Sequence, residues 1–124
     1  MAKRAPTATL DAMLDYIAAC DRVVVCNAEP TTYAEATGSM NLATAVATPV
    51  TDFAKAAGSP SGRKVTVAAK NGVSVTTSGT ANHVAVVRTT DSSLRYVTTC
   101  TAQALTSGNT VNVPAWAVTI PDPT

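Results

Sequence analysis

Residues 63–119 form a succession of short Val/Thr-rich alternations broken by Gly, Asn and Ser. Lys64-Val65-Thr66-Val67-Ala68, Val73-Ser74-Val75-Thr76 and Val111-Asn112-Val113 each alternate apolar and polar side chains. A period of two places successive side chains on opposite faces of a strand, so each segment reads as a strand with one dry and one wet face. Repeated at short intervals with turn residues between, such strands build a sandwich or barrel. The chain has 124 residues, room for one core. The expected fold is therefore mainly β: an antiparallel β-sandwich, immunoglobulin-like or jelly-roll-like, with one N-terminal amphipathic α-helix.

That helix follows an arm at residues 1–6. Leu10, Met13, Leu14 and Ile17 recur at i, i+3, i+4 and i+7, which makes one apolar face. Thr7 or Thr9 is the expected cap, and the helix should stop near Cys20 and Asp21. A helix with one apolar stripe must lie on something. Leu10, Met13, Leu14 and Ile17 thus pack on the protein's own sheet or face a neighbouring subunit.

Further elements follow from local signals. The β-branched run Val23-Val24-Val25 predicts a strand buried on both faces. Residues 29–36 read as a turn and a short helical piece, with Pro30 at its start and Gly38 ending it. Residues 41–49 suggest a strand despite their alanines, 51–57 are ambiguous between strand and helical turn, and 57–62 form a loop. Asn71-Gly72 predicts a tight hairpin between strands 65–70 and 73–77. Strands are further expected at 82–88, 94–98 and 101–105. The last, at 110–120, is interrupted by Pro114, which cannot donate to a ladder and marks an edge or a bulge. One domain spans 7–120, with its helix at about 7–20, and 121–124 form a tail.

Composition limits the function classes. Charged residues make up 14% of the chain, against about 25% in an ordinary soluble domain. A polar but weakly charged surface suits close apposition to a neighbour, because few charges must be desolvated. The net charge is +1 and no basic patch is large enough to collect several phosphates, so nucleic acid is not an expected partner. No apolar run is long enough to span a bilayer, and Asp11 and Asp15 interrupt any leader-like segment, so neither a membrane nor a signal peptide is expected.

No catalytic, cofactor-binding or metal-binding residue stands out. His83, the single histidine, has no partner at ligand spacing and reads as a strand histidine with a satisfied ring. The acids are scattered over helix, turns and tail, and no phosphate-binding loop or nucleophile elbow occurs. A pair of Cys26 or Cys100 with His83 lacks any local signature. The three cysteines fit free thiols kept reduced in a cytosol, Cys26 as a buried small hydrophobe. The alternative is an intermolecular disulfide formed later, for which Cys20 and Cys100 are the candidates. Trp116 is either the largest core residue or, if exposed, a stacking platform or interface anchor.

Several stretches carry a resemblance: residues 29–36 (EPTTYAEA), residues 61–67 (SGRKVTV), Gly108-Asn109-Thr110, the closing residues 120–124 (IPDPT), and the amphipathic helix leading into a Val-rich strand. In this order and spacing they resemble a family of small structural proteins from the virions of tailed bacteriophages, over nearly the whole chain. The resemblance implies a non-enzymatic virion protein, made in the host cytoplasm, that decorates the capsid and stabilises contacts between capsomers. It implies the major capsid protein or other virion proteins as partners, a homo-oligomer as the working form, and no catalytic residues. Alternatives are a head-fibre base, neck or tail component, or a secreted carbohydrate-binding module, the last requiring Trp116 exposed in a shallow groove.

Overall fold

Eleven elements follow in order along residues 6–58 and 62–120, which the computed structural model describes: α1 (Thr7–Ala18), β1 (Arg22–Cys26), α2 (Tyr33–Thr37), β2 (Asn41–Val46), β3 (Phe53–Ala57), β4 (Arg63–Val67), β5 (Lys70–Ser74), β6 (Gly79–Arg88), β7 (Ser93–Leu105), β8 (Thr110–Val113) and β9 (Trp116–Ile120). Every strand pairing is antiparallel. One sheet has the order β2-β1-β6-β7, a second has β3-β4-β9, and β5 pairs with β8 as a two-stranded ribbon. The result is an open, sandwich-like β protein with an N-terminal helix, as the alternations predict. The expected arm and tail lie outside the described residues, except for Pro6. So does the middle of the loop between β3 and β4, whose closing bond runs from the Gly58 N–H to the Gly62 carbonyl at 2.9 Å.

β1 is buried on both faces because alternation sends its side chains to two separate clusters. Val23 and Val25 join the main core, together with Leu14 and Ile17 from α1, Val84 and Val86 from β6, and Phe53, Val65, Val67 and Val118 from the second sheet. Val24 and Cys26 point the other way, to Ala85, Val87 and Ala36 beneath α2. The short helix α2 is thus the lid of the second face. Thr32 caps it, its hydroxyl accepting from the Glu35 N–H at 3.2 Å, while Glu35 Oε1 accepts from the Thr31 N–H at 3.0 Å.

Leu10, Leu14 and Ile17 are buried, so the helical stripe packs within its own molecule, while Met13, at 48% exposure, turns outward. The expected threonine caps are absent. α1 begins at Thr7, directly after Pro6, so both threonines fall inside the helix and, among the described residues, no side chain caps it. The Pro6 carbonyl instead accepts from the N–H groups of Thr9 and Leu10. Asp11 takes Arg63 Nε at 2.8 Å, and Asp15 pairs with Lys55, which ties the helix to β4 and β3.

Three pairings differ from the sequence expectation. Asn71-Gly72 is not a hairpin turn. Both edges of β4 are taken by β3 and β9, so β5 pairs with β8, and Asn71-Gly72 forms an irregularity between Lys70 and Val73. Gly72, at φ +66°, supplies the left-handed conformation there, and its N–H donates to Asn112 Oδ1 at 2.9 Å. The expected strand at 110–120 is two strands in different sheets: β8 lies on β5 and β9 on β4. Pro114 sits at the crossing, where it lacks the N–H that would continue a ladder. The two strands expected at 94–98 and 101–105 are one, β7, with a slip in register opposite β6.

Val50 adopts φ +67° while 70% exposed. A β-branched residue is strained in that region, by about 1–3 kcal/mol. Replacing Val50 with Asn, which tolerates the conformation, should raise the thermal midpoint, and a scan of both proteins by calorimetry measures the gain.

Two buttressed carboxylates predict an acid-sensitive fold. Asp52 Oδ2 accepts from Lys70 Nζ and from the Thr48 N–H, both at 2.7 Å, which holds its carboxyl below the usual range. Burial pushes the Asp21 carboxyl up, but hydrogen bonds from the Thr89 hydroxyl and N–H, with Arg22 nearby, together hold it low. A carboxylate with a depressed folded pKa stabilises fully above the unfolded value, about 3.9, and loses that effect as pH falls through the folded value. The thermal midpoint should therefore drop on acidification below that value, and Asp52→Asn should flatten the drop.

Candidate functional site

The open side of the sandwich, where β7 faces β8 and β9, carries the most distinctive surface. Opposite β6, register runs from Thr99↔His83 to Gln103↔Ala81, so residues 100–102 face only Asn82 and bulge from the strand. Across from the bulge, the chain turns from β8 into β9 at Pro114. Two adjoining depressions of about 280 and 210 Å³ lie between them, sharing Val84, Cys100, Thr101, Val113 and Pro114. Trp116 lines the larger. No Asp, Glu, Lys, Arg or His occurs from residue 96 to residue 120, so β8, β9 and most of β7 contribute no charge.

Trp116 is neither the buried core residue nor the free platform of the two sequence readings. It is half-buried against the main core. Its ring stacks on Tyr96 with centroids 5.9 Å apart and planes 23° from parallel, so one aromatic covers the other. Trp116 Nε1 is buried and meets no acceptor among the described residues.

The thiols separate cleanly. Cys20, expected near the end of the helix and one of the two candidates for a bridge, is fully buried between α1 and β1. The short link from α1 folds it inward: its N–H bonds the Ile17 carbonyl, and the next residue's N–H bonds the Val87 carbonyl on β6. Burial pushes its thiol up to about 12, and with no exposed surface Cys20 lies out of reach of a second chain in the folded protein. Cys26 is buried as expected, its thiol pushed up to about 11 by burial, and its Sγ donates to the Ala36 carbonyl at 3.8 Å. Cys100 alone is exposed. Partial burial raises its thiol too, so it is mostly protonated at neutral pH and a slow nucleophile. Ellman's reagent should therefore titrate one thiol per folded chain, absent in Cys100→Ser, and all three only in denaturant.

Cys26 and His83 occupy facing positions on β1 and β6. The thiol is nonetheless engaged by Ala36, and His83 Nδ1 lies 2.7 Å from Asn82 Oδ1. Four of the acids are held in ion pairs: Asp11 with Arg63, Asp15 with Lys55, Asp52 with Lys70 and Asp91 with Arg95. Among the described residues no group of three or more His, Cys, Asp or Glu could hold a metal ion. No helix there is long and apolar enough to cross a membrane. What this side offers is contact chemistry: hydroxyls, the amides of Gln103 and Asn112, apolar walls and the Cys100 thiol.

The fold and this surface define a small antiparallel β protein with one uncharged, grooved side. No family model, no curated protein and no solved structure matches the chain.

Proposed function

We propose that the protein is a non-enzymatic structural component of a tailed-bacteriophage virion, a decoration protein that stabilises contacts between capsomers. The observation that carries this reading is the charge-free surface that residues 96–120 give to β8, β9 and most of β7. Docking such a surface on a shell costs little desolvation of charge, and the hydroxyls of Thr98, Thr99 and Thr101 can exchange water for partner groups at small net cost. A ligand that binds only the assembled shell stabilises that shell by mass action. The ion pairs of α1 with β3 and β4 hold Asp11, Asp15, Lys55 and Arg63 in internal contacts, which suits a rigid module repeated over a surface.

The test is co-sedimentation with purified particles from the source, counting copies against the major shell protein. Copies comparable to the shell protein are the expected result. A few per particle would move the protein to a head-fibre base, neck or tail, and none would overturn the virion reading.

Sugar binding has one observation in its favour, the placement of Trp116 in a groove. Tyr96 already lies on that ring, which leaves less aromatic face for a pyranose. Titration of Trp116 fluorescence with neutral oligosaccharides separates the readings: a saturable change supports a carbohydrate-binding module, and a flat trace removes it.

A further inference from the structure

We propose that the outer edge of β7, over residues 96–104, docks a second copy of this chain, the two β7 strands running antiparallel across a two-fold axis. β7 is the open end of its sheet. Among the described residues, no backbone hydrogen bond reaches its outer side over this stretch, and the side chains from Thr99 to Ala104 are exposed. At the opposite end of the sheet, β2 is continued by the ribbon: Ala43 bridges Val75, and the Leu42 carbonyl accepts from the Thr76 N–H at 2.9 Å. The start of β7 is shielded by α1, where the Arg95 guanidinium lies 3.8 Å from the centre of the Tyr16 ring and donates to the Tyr16 carbonyl.

Proteins blunt long edges with charges, proline or bulges, because free N–H and C=O groups template a further strand. The stretch 96–104 contains no charged residue and no proline. Its one blunting device is the slip at 100–102, which leaves regularly paired backbone on either side. β3, by contrast, carries Lys55 at its centre. The occupant is a second copy because the edge is complementary to itself. An antiparallel pair of identical strands obeys a two-fold operator, and an edge without charge brings no like charges together when it meets its own image. Proteins with acidic or basic recognition strands find no counter-charge here. This pairing is a property of the isolated protein and stands or falls separately from the virion reading.

The experiment is sedimentation velocity of the full chain over a dilution series, with reductant present so that Cys100 cannot bridge. The expected result is a dimer that dissociates on dilution. Thr99→Lys and Gln103→Lys should each weaken it about tenfold or more by placing like charges across the pair, with unchanged circular dichroism. Hydrogen exchange on the unmodified protein provides the second readout. Amides in 96–104 should exchange more slowly at high than at low concentration, while those of β9 should not change. A monomer at every concentration, association indifferent to both lysines, or concentration-dependent protection on β9 instead of β7 would overturn the proposal.

Discussion

Replacing Phe53 with alanine should cost about 3–5 kcal/mol of stability, among the largest losses from any single truncation in this chain. Phe53 is the only phenylalanine, and it is 2% exposed at the start of β3, opposite Val67. The buried residues that make up the rest of the main core are Val, Ala, Leu, Ile and Cys, none of which can extend to refill the space of a ring. The loss therefore combines transfer of the ring to water with an unrelaxed cavity. Against a total of about 5–15 kcal/mol for a domain, this is a large fraction. Phe53→Leu keeps most of the volume and should cost less than about 1.5 kcal/mol. Urea denaturation of the three proteins gives the comparison directly. A small loss for the alanine variant would mean that β3 does not close the core.

Leu14→Ala should follow closely, at about 2–5 kcal/mol, while Asp15→Ala should cost less than about 1 kcal/mol. Both residues attach α1 to the sheets, and the contrast identifies which attachment dominates. Leu14 is fully buried in the main core. Asp15 pairs with Lys55, but its side chain is 58% exposed, so water and salt screen the attraction. A helix of twelve residues without a side-chain cap is marginal by itself and depends on its apolar face for persistence. Urea titration again measures both variants, and proteolysis within α1 reports whether the helix has come away. Equal losses would mean that the ion pairs, not the stripe, hold it.

Much of the local structure was legible in the sequence. The stripe of Leu10, Met13, Leu14 and Ile17 marked the helix and, Met13 apart, its buried side, and Val23 to Val25 marked a strand with two dry faces. The candidate site was legible only as separate residues. Trp116, Cys100 and Pro114 each drew notice, but the groove they share depends on a bulge in β7 and a change of sheet after β8. The signal that could have pointed to this side is the stretch from 96 to 120 without a charged residue, which is visible in the sequence though no single motif marks it.

Periodicity and turn chemistry are properties of a few consecutive residues, which is why the sequence by itself determined the helix, most strands and their buried faces. Pairing is a competition for hydrogen-bonding edges among segments far apart in the chain. Only the tertiary structure decided that β4 is claimed by β3 and β9, leaving Asn71-Gly72 inside an irregular ribbon. It likewise decided that Pro114 marks a passage between sheets and that Cys20 is sealed from solvent while Cys100 is not. Each outcome depends on which backbone groups and apolar surfaces remain unsatisfied once the other elements have packed, a quantity that no local stretch of sequence contains.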